Sequence, residues 1–267
     1  MKRIQLFEFE DFDWFPNTIR TSMTNLIVVL HKILGTSEVI TNLIINIKNR
    51  HDFSQIVDLG SGSGGAMLEV IKKINDTNTS ELVQLILTDL HPNPDFVNRI
   101  NNSQLANIIY EQTSIDATNL TETPPGLKTM MNSFHHMPPN QAKNILKSAQ
   151  DNNEPILIYE MGENFVPTLL WWLFLPLSLA ILFIMSLFMT PFVKPLTWQQ
   201  IVFTYIIPII PLFYAWDGQA STMRTYTFSD VEHLLKDIKN DTYLWEIKKA
   251  KKDNGKKLGY YILGLPK

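Results

Sequence analysis

The sequence predicts a three-layer α/β domain with a mostly parallel sheet, and three observations support this prediction. Short apolar runs alternate along the chain with segments of helical periodicity. A glycine-rich turn over residues 58–65 joins the first apolar run to a helical pattern, which is the strand–turn–helix order of a nucleotide-binding loop. Acidic residues follow several of the runs. Because parallel strands end at one edge of a sheet, these acids indicate a ligand site at that edge.

The predicted elements follow one another in a regular order. Five parallel strands are expected over residues 53–59, 82–89, 107–110, 127–131 and 155–160, which read as largely apolar, buried runs. Two more strands, 244–250 and 258–265, flank Asp253-Asn-Gly, which is a strong hairpin signal. These segments define four regions: a helical cap (1–50), an α/β core (51–164), an apolar helical hairpin (165–216) and the rest of the core (217–267).

The glycine turn reads Val57-Asp-Leu-Gly-Ser-Gly-Ser-Gly-Gly, with Asp58 two residues before the first glycine. A pyrophosphate prefers amide donors and the positive end of a helix, whereas a carboxylate beside the loop favours a ligand with positive charge. The glycines alone do not discriminate, because Gly60, Gly62 and Gly65 also have the spacing of an NAD-binding loop. A strand–helix turn without a ligand is the third alternative.

Over residues 45–165 and 217–267 these motifs resemble the class I S-adenosylmethionine-dependent methyltransferases. The resemblance implies a Rossmann-like methyltransferase fold with a seven-stranded sheet and S-adenosyl-L-methionine as cofactor. It assigns the glycine loop to Asp58–Gly64, the ribose to Asp89 and the adenine to Asp116. The cofactor-binding residues that it implies are Asp58, Gly60, Ser61, Gly62, Gly64, Asp89, Leu90, Asp116, Ala117, Asn132 and Ser133.

Methyl transfer requires an aligned acceptor and, for a hydroxyl or amine, a group that removes its proton. The predicted catalytic residues follow strands four and five: His135, His136, Tyr159 and Glu160. An imidazole titrates near neutral pH, although a packing or helix-entry role is the alternative for either histidine. Predicted acceptor residues flank the apolar hairpin or precede the first helix: Asp11, Trp14, Arg20, Asp217, Arg224 and Tyr226. For the first three, the alternative is a surface cap docked by its aromatic residues. For the segment that holds the other three, the alternative is that Thr227 or Ser229 simply caps the next helix.

Residues 165–216 carry one formal charge, Lys194. The stretch 169–189 is long and apolar enough to span a bilayer, and the stretch 201–216 is interrupted by Pro208 and Pro211. Both ends join the same domain, which leaves a spanning hairpin, a re-entrant hairpin, or an apolar lid or dimer surface. Six lysines between residues 248 and 257 are expected either to attract anionic headgroups or to form a solvated hairpin face.

The net charge and the cysteine content exclude several classes of function and site. A net charge of −3 argues against a dedicated nucleic-acid binder, and the absence of cysteine excludes disulfides and thiolate metal sites; no metal is predicted. The amino terminus lacks the apolar core of a signal peptide, so a membrane-associated enzyme with its catalytic domain facing the cytoplasm is expected. The predicted function is methylation of a lipophilic or membrane-delivered small molecule. The alternatives are a soluble homodimeric methyltransferase with a hydrophobic lid, an NAD-dependent reductase and a non-catalytic cofactor-binding subunit.

Overall fold

The computed structural model describes residues 1–77, 82–103, 105 and 107–267. Backbone contacts divide the chain into two compact units. The first unit comprises Met1, Gly35–Gly162 and Phe228–Lys267, and the second comprises Lys2–Leu34 and Glu163–Thr227. Residues 35–50 of the predicted helical cap therefore belong to the first unit. The boundary expected after residue 216 falls inside a helix, Ile209–Arg224.

The first unit is built on a seven-stranded sheet. Its strands are β1 (Gln55–Leu59), β2 (Gln84–Thr88), β3 (Ile108–Tyr110), β4 (Leu127–Met131), β5 (Ile156–Glu160), β6 (Tyr243–Lys251) and β7 (Lys257–Pro266). They lie in the order β3-β2-β1-β4-β5-β7-β6. The first five are parallel, and β7 runs antiparallel to both β5 and β6. The predicted mostly parallel sheet with a closing antiparallel pair is confirmed.

Five α-helices cover this sheet: α2 (Thr36–Lys48), α3 (Met67–Thr77), α4 (Pro94–Asn101), α5 (Pro139–Asp151) and α9 (Phe228–Leu235). All five residues of β5 are buried, as expected for a strand with both faces covered. One core cluster joins α2, α3 and α4 to the sheet through side chains such as Ile40, Val70, Val97 and Leu85. The chain leaves β1 first towards β2 and β3 and later towards β4 and β5, which makes the carboxyl ends of β1 and β4 the switch point where ligands bind.

The second unit is helical. It contains α1 (Asn17–Leu34), α6 (Thr168–Met189), α7 (Trp198–Ile201) and α8 (Ile209–Arg224), and a π-helix, Val202–Ile206, continues α7. One core cluster of this unit joins α1 to the end of α6 and the start of α8 through side chains such as Met23, Leu26, Met189 and Tyr214. A second cluster packs Trp171 and Leu175 of α6 against Met223 of α8.

Among the described residues, one helix, Thr168–Phe192, is long and apolar enough to cross a bilayer, with 25 residues and a mean hydropathy of 2.3. The segments Trp198–Ile206 and Ile209–Arg224 meet that criterion only together and are bent by 83°. Pro208 lies at the bend, as expected for a residue without an N–H. Pro211 does not interrupt the chain a second time, because it lies in the first turn of α8, where the backbone N–H groups have no helical acceptor.

Candidate active site

Asp58 is a buried carboxyl in β1 that faces β4. The two strands pair Asp58 with Thr129, whose hydroxyl donates to Asp58 Oδ1 at 2.7 Å. Burial raises the pKa of Asp58 to about 7, against the opposing effect of the hydrogen bond from Thr129. A positively charged ligand nearby would favour the ionised carboxylate.

Ser61 joins the glycine loop to the end of β2. Its hydroxyl donates to Asp58 O at 2.8 Å and accepts from Thr88 N at 3.1 Å, while Ser61 N donates to Thr88 O at 2.9 Å. The next residue, Gly62, has a φ of +53°, and no atom lies within 4 Å of the position that a Cβ would take. The loop therefore presents bare backbone to the space above it, as close approach of a ligand requires.

Asp89 follows β2 and lies against the loop. Its Oδ2 accepts from Gly62 N at 3.0 Å and its Oδ1 accepts from His91 N at 2.9 Å. The carbonyl of Gly62 in turn accepts from the Tyr110 hydroxyl at 2.8 Å. The bonds from Gly62 N and His91 N orient the Asp89 carboxylate, and each of its oxygens can accept a further hydrogen bond.

The loops after β2 and β3 are joined to each other. Ile115 N donates to Asp89 O at 3.0 Å, and the Ser114 hydroxyl donates to Leu90 O at 2.6 Å. Asp116 Oδ1 accepts from the backbone and hydroxyl of Thr118, both at 2.8 Å, and Ala117 is buried. The structure thus brings together the cofactor residues predicted on these two loops.

The end of β4 lies beside the same glycine loop. Asn132 adopts a left-handed φ of +56°, and its Oδ1 accepts from Met161 N at 2.7 Å. The Ser133 hydroxyl donates to Leu59 O at 3.3 Å and lies 3.4 Å from the position of a Cβ on Gly60. Gly64 closes the loop with a φ of +85°, where a Cβ would crowd Leu68 and Leu87.

His135 and Glu160 form a buried pair across the ends of β4 and β5. Glu160 Oε1 accepts from His135 N at 3.0 Å, and Glu160 Oε2 lies 2.8 Å from His135 Nδ1. Both side chains are buried. With Nδ1 donating to the carboxylate, Nε2 is the basic nitrogen of the neutral imidazole.

The other two predicted catalytic residues have different surroundings. The ring of His136 is partly buried and lies with its centroid 4.3 Å from that of His135. Tyr159 is fully buried in the core, and its hydroxyl donates to Leu258 O at 3.1 Å. Direct hydrogen bonds therefore join two of the predicted catalytic residues, His135 and Glu160.

The predicted acceptor residues lie in the second unit, where several hold the amino-terminal segment to α8. Asp217 accepts from Phe9 N at 2.8 Å and Glu10 N at 3.2 Å. Arg224 is buried and pairs with Glu8 at 3.0 Å and with Asp11 at 2.5 Å. These contacts bring Asp11, Asp217 and Arg224 onto one polar network.

The remaining three are packed or exposed. Arg20 donates to Glu10 O at 3.1 Å and to Phe12 O at 2.8 Å, which braces the turn before α1. Tyr226 is buried beneath the Arg3 guanidinium, 4.8 Å from the ring centroid. Trp14 is 66% exposed.

The sequence-based prediction missed two residues of the first unit that hold the site. Thr129 binds Asp58, and Tyr110 binds Gly62. Thr129 carried a usable signal, since a polar residue in the middle of an apolar run, beside an acid-bearing strand, indicates a buried hydrogen bond. Tyr110 carried none, because its partner lies 48 residues away.

No family model and no curated protein sequence matches the chain. Solved structures do match. The plantazolicin methyltransferase BpumL in complex with SAH has a TM-score of 0.58 at 12% identity, over 96% of this chain and 92% of that one. An O-methyltransferase family protein from Burkholderia thailandensis has a TM-score of 0.50 at 10% identity, over 90% of this chain and 57% of that one. The fold is the methyltransferase fold. It agrees with the predicted fold class.

Proposed function

We propose that this protein is an S-adenosylmethionine-dependent methyltransferase that acts on a lipophilic acceptor at a membrane. The observation that carries the cofactor assignment is the Asp89 carboxylate, oriented by Gly62 and His91 at the end of β2. A ribose diol offers two hydroxyl donors, and a carboxylate has about four acceptor positions. Two of these are used by backbone N–H groups, so Asp89 retains the capacity to bind both hydroxyls.

The charge of the glycine loop favours this cofactor over a dinucleotide. Asp58 lies at its base, and residues 58–66 include no lysine or arginine. The ammonium of S-adenosylmethionine would complement the Asp58 carboxylate, whereas a pyrophosphate would be repelled by it. Bound there, the cofactor supplies a sulfonium-linked methyl group. The SAH complex of BpumL, a structure of the same fold, supports the assignment.

His135 is the residue proposed to remove a proton from a hydroxyl or amine acceptor. Glu160 orients the ring through Nδ1 and stabilises the imidazolium once Nε2 has gained the proton. Glu160 is thus a positioning residue, and His136 is the second candidate base because its ring lies beside that of His135. Tyr159 is less suited to the role, because its hydroxyl is engaged with Leu258 O.

The exposed face of α6 supports a lipophilic acceptor and a membrane location. Large apolar side chains with more than half of their surface exposed recur every three or four residues from the start of α6 to the turn that follows it: Leu169, Leu173, Leu177, Ile181, Ile184, Phe188 and Phe192. This spacing forms one stripe along the helix. Soluble monomers rarely expose so large a patch, and each such side chain contributes roughly 1.5–3 kcal/mol when buried.

In this proposal the second unit lies in or on the cytoplasmic face of a membrane and delivers the acceptor. The exposed Trp14 and the partly exposed Asp11 are the predicted acceptor residues with surface to offer a ligand. The buried Asp217, Arg224 and Tyr226, together with Arg20, order the segment that carries them. In the alternative, a second copy of the chain covers the apolar stripe of α6.

Titration calorimetry tests the cofactor assignment. S-adenosylmethionine and S-adenosylhomocysteine are both expected to bind, and NADH is not. Tight binding of NADH with none of S-adenosylmethionine would overturn the assignment. Incubation with methyl-labelled cofactor and a membrane lipid extract, followed by mass spectrometry, then separates an enzyme from a non-catalytic cofactor-binding subunit. The Gly62→Val variant is the control without cofactor binding.

Fractionation tests the membrane location. The full-length protein is expected in the membrane pellet, released by detergent but not by salt. A variant with residues 165–216 replaced by a Gly/Ser linker is the comparison, and it is expected to move to the supernatant. Recovery of the full-length protein from the high-speed supernatant as a discrete dimer would overturn the membrane location and assign the stripe to a dimer interface.

A further inference from the structure

The hairpin formed by β6 and β7 carries a concentration of positive charge that the cofactor site does not use. Residues 248–257 hold six lysines and a single acid, Asp253, in a chain whose net charge is −3. The lysines are Lys248, Lys249, Lys251, Lys252, Lys256 and Lys257; we call this surface the lysine hairpin. The charge distribution of the chain is therefore strongly uneven.

Two of these lysines face each other in the sheet. The strand register pairs Lys251 with Lys257, and both are exposed. Like charges directly opposite each other on neighbouring strands destabilise a sheet. Packing within the hairpin therefore gives no reason for the pair, whereas an external anion would relieve the repulsion.

The acids near the hairpin do not neutralise its tip. Glu246 pairs with Arg50 and Lys248 at 2.8 and 2.6 Å. Asp253 Oδ1 accepts from Asn42 Nδ2 at 2.6 Å, and Glu38 Oε1 accepts from Asp253 N at 3.0 Å. In the part of the chain that the structure describes, no acid lies within 4.0 Å of the ammonium of Lys251, Lys256 or Lys257.

The tip is also held in a defined position. The turn is closed by Lys252 N to Lys256 O and by Gly255 N to Lys252 O, both at 2.9 Å. The two bonds of Asp253 fasten it to Glu38 and Asn42 of α2. Because these bonds hold the backbone of the tip, Lys251, Lys256 and Lys257 extend from a defined turn rather than from a flexible basic tail.

We propose that the lysine hairpin binds anionic lipid headgroups and so adds an electrostatic contact to the membrane association. This inference rests on the proposed function, because the apolar stripe of α6 is what favours a lipid surface over another polyanion. A lysine near an anionic bilayer strengthens binding by about fivefold. Three exposed lysines are thus expected to contribute roughly a hundredfold.

The test is flotation of the full-length protein with vesicles of phosphatidylcholine, with or without phosphatidylglycerol. Phosphatidylglycerol is expected to raise the partition coefficient, and high salt is expected to remove the increase. The Lys251→Gln/Lys256→Gln/Lys257→Gln variant is expected to lose most of the increase while binding phosphatidylcholine vesicles as before. Its thermal unfolding temperature should not fall, because the substitutions remove a repulsive pair.

A matched control carries Lys143→Gln/Lys147→Gln/Lys239→Gln, which removes the same charge from three surface lysines of the first unit, each paired with an acid. An equal loss in this control, or no loss in the hairpin variant, would overturn the inference. So would tighter binding of a poly(U) probe than of phosphatidylglycerol vesicles at the same salt. Failure of the membrane location itself has a different signature, because the protein would then not bind phosphatidylcholine vesicles at all.

Discussion

The Tyr110 hydroxyl donates a 2.8 Å hydrogen bond to the carbonyl of Gly62. The same peptide segment donates from Gly62 N to Asp89 Oδ2 at 3.0 Å. Gly62 is therefore held by hydrogen bonds on two sides, by Tyr110 at the end of β3 and by Asp89 after β2. Burial, with the charges of Asp89 and Asp58, raises the pKa of Tyr110 above its usual range. The phenol consequently remains a donor at any physiological pH.

Tyr110→Phe is expected to weaken cofactor binding without unfolding the protein. A neutral hydrogen bond contributes about 0.5–1.5 kcal/mol, so the dissociation constant for S-adenosylhomocysteine should rise by about two- to tenfold. Calorimetry measures the change. Tyr243→Phe is the matched control, since it removes a buried hydroxyl that donates to Glu154 O at 2.6 Å. Equal losses in the two variants would assign Tyr110 to stability alone.

Asp89→Ala is expected to lower cofactor affinity by at least an order of magnitude. Hydrogen bonds to a charged partner are worth about 1.5–3 kcal/mol, and the substitution removes the bonds that we propose between Asp89 and the ribose. Asp95→Ala provides a control, because it removes an exposed carboxylate from the first turn of α4. An unchanged dissociation constant in a folded Asp89→Ala variant would reject the ribose role.

Gly62→Val is expected to abolish cofactor binding by filling the space above the loop. Gly65 offers a close control, because both glycines have positive φ values, +53° and +44°, and neither has an atom within 4 Å of its Cβ position. Gly65→Val thus introduces similar backbone strain, but Gly65 is not the residue that binds Asp89. Binding curves and melting temperatures of the two variants separate exclusion of the ligand from strain. Loss of binding in both would indicate strain alone.

Strand positions and strand-end acids could be predicted from sequence because both depend on local patterns. The run over residues 127–131 became β4 with the same bounds, and Asp89 lies directly after β2, as expected. A buried parallel strand is apolar on both faces, so its limits are visible without knowledge of its neighbours. The hairpin predicted at the Asn-Gly turn likewise joins β6 to β7, and Lys251 and Lys257 are the pair next to the turn.

Contacts between distant segments could not be predicted in the same way. The bond from His135 to Glu160 links residues 25 positions apart, and each alone resembles an ordinary strand-end polar residue. The carboxyl end of α8 could not be predicted from the sequence either. The sequence places the end of the apolar hairpin at residue 216, yet α8 continues to Arg224, with Asp217 and Arg224 buried against the amino-terminal segment.

Cofactor affinity is expected to depend on pH through Asp58. Its pKa of about 7 exceeds the ordinary value of an aspartate, so below pH 7 the empty site holds a neutral carboxyl. A cationic ligand favours the ionised form, and binding must then release a proton. Affinity should fall with decreasing pH below 7, by up to about tenfold per pH unit, and level off above 7. Calorimetry in buffers of different ionisation enthalpy counts the released proton.

Asp58→Asn is the control for this pH dependence. It keeps the size of the side chain and an acceptor for the Thr129 hydroxyl but cannot ionise. We expect weaker binding and a flat profile across pH 7. A profile of the variant that matches the parent protein would assign the titration to another group.

Substitutions at the buried pair are expected to affect turnover far more than cofactor affinity. His135→Asn should lower the rate of label transfer to the lipid extract by about 10²–10⁴-fold, the usual contribution of a general base.

Glu160→Gln keeps an acceptor for His135 N but no longer holds a carboxylate against Nδ1. The imidazolium then loses its stabilising partner, and the acidic limb of the pH–rate profile should shift to lower pH because the ring is a weaker base. A purely structural role for Glu160 would lower the melting temperature and leave that profile in place.

His136→Asn is the matched control for His135→Asn, since the ring of His136 lies beside that of His135. Full turnover in His135→Asn with loss in His136→Asn would move the base to His136, and full turnover in both would mean that the acceptor reacts without one.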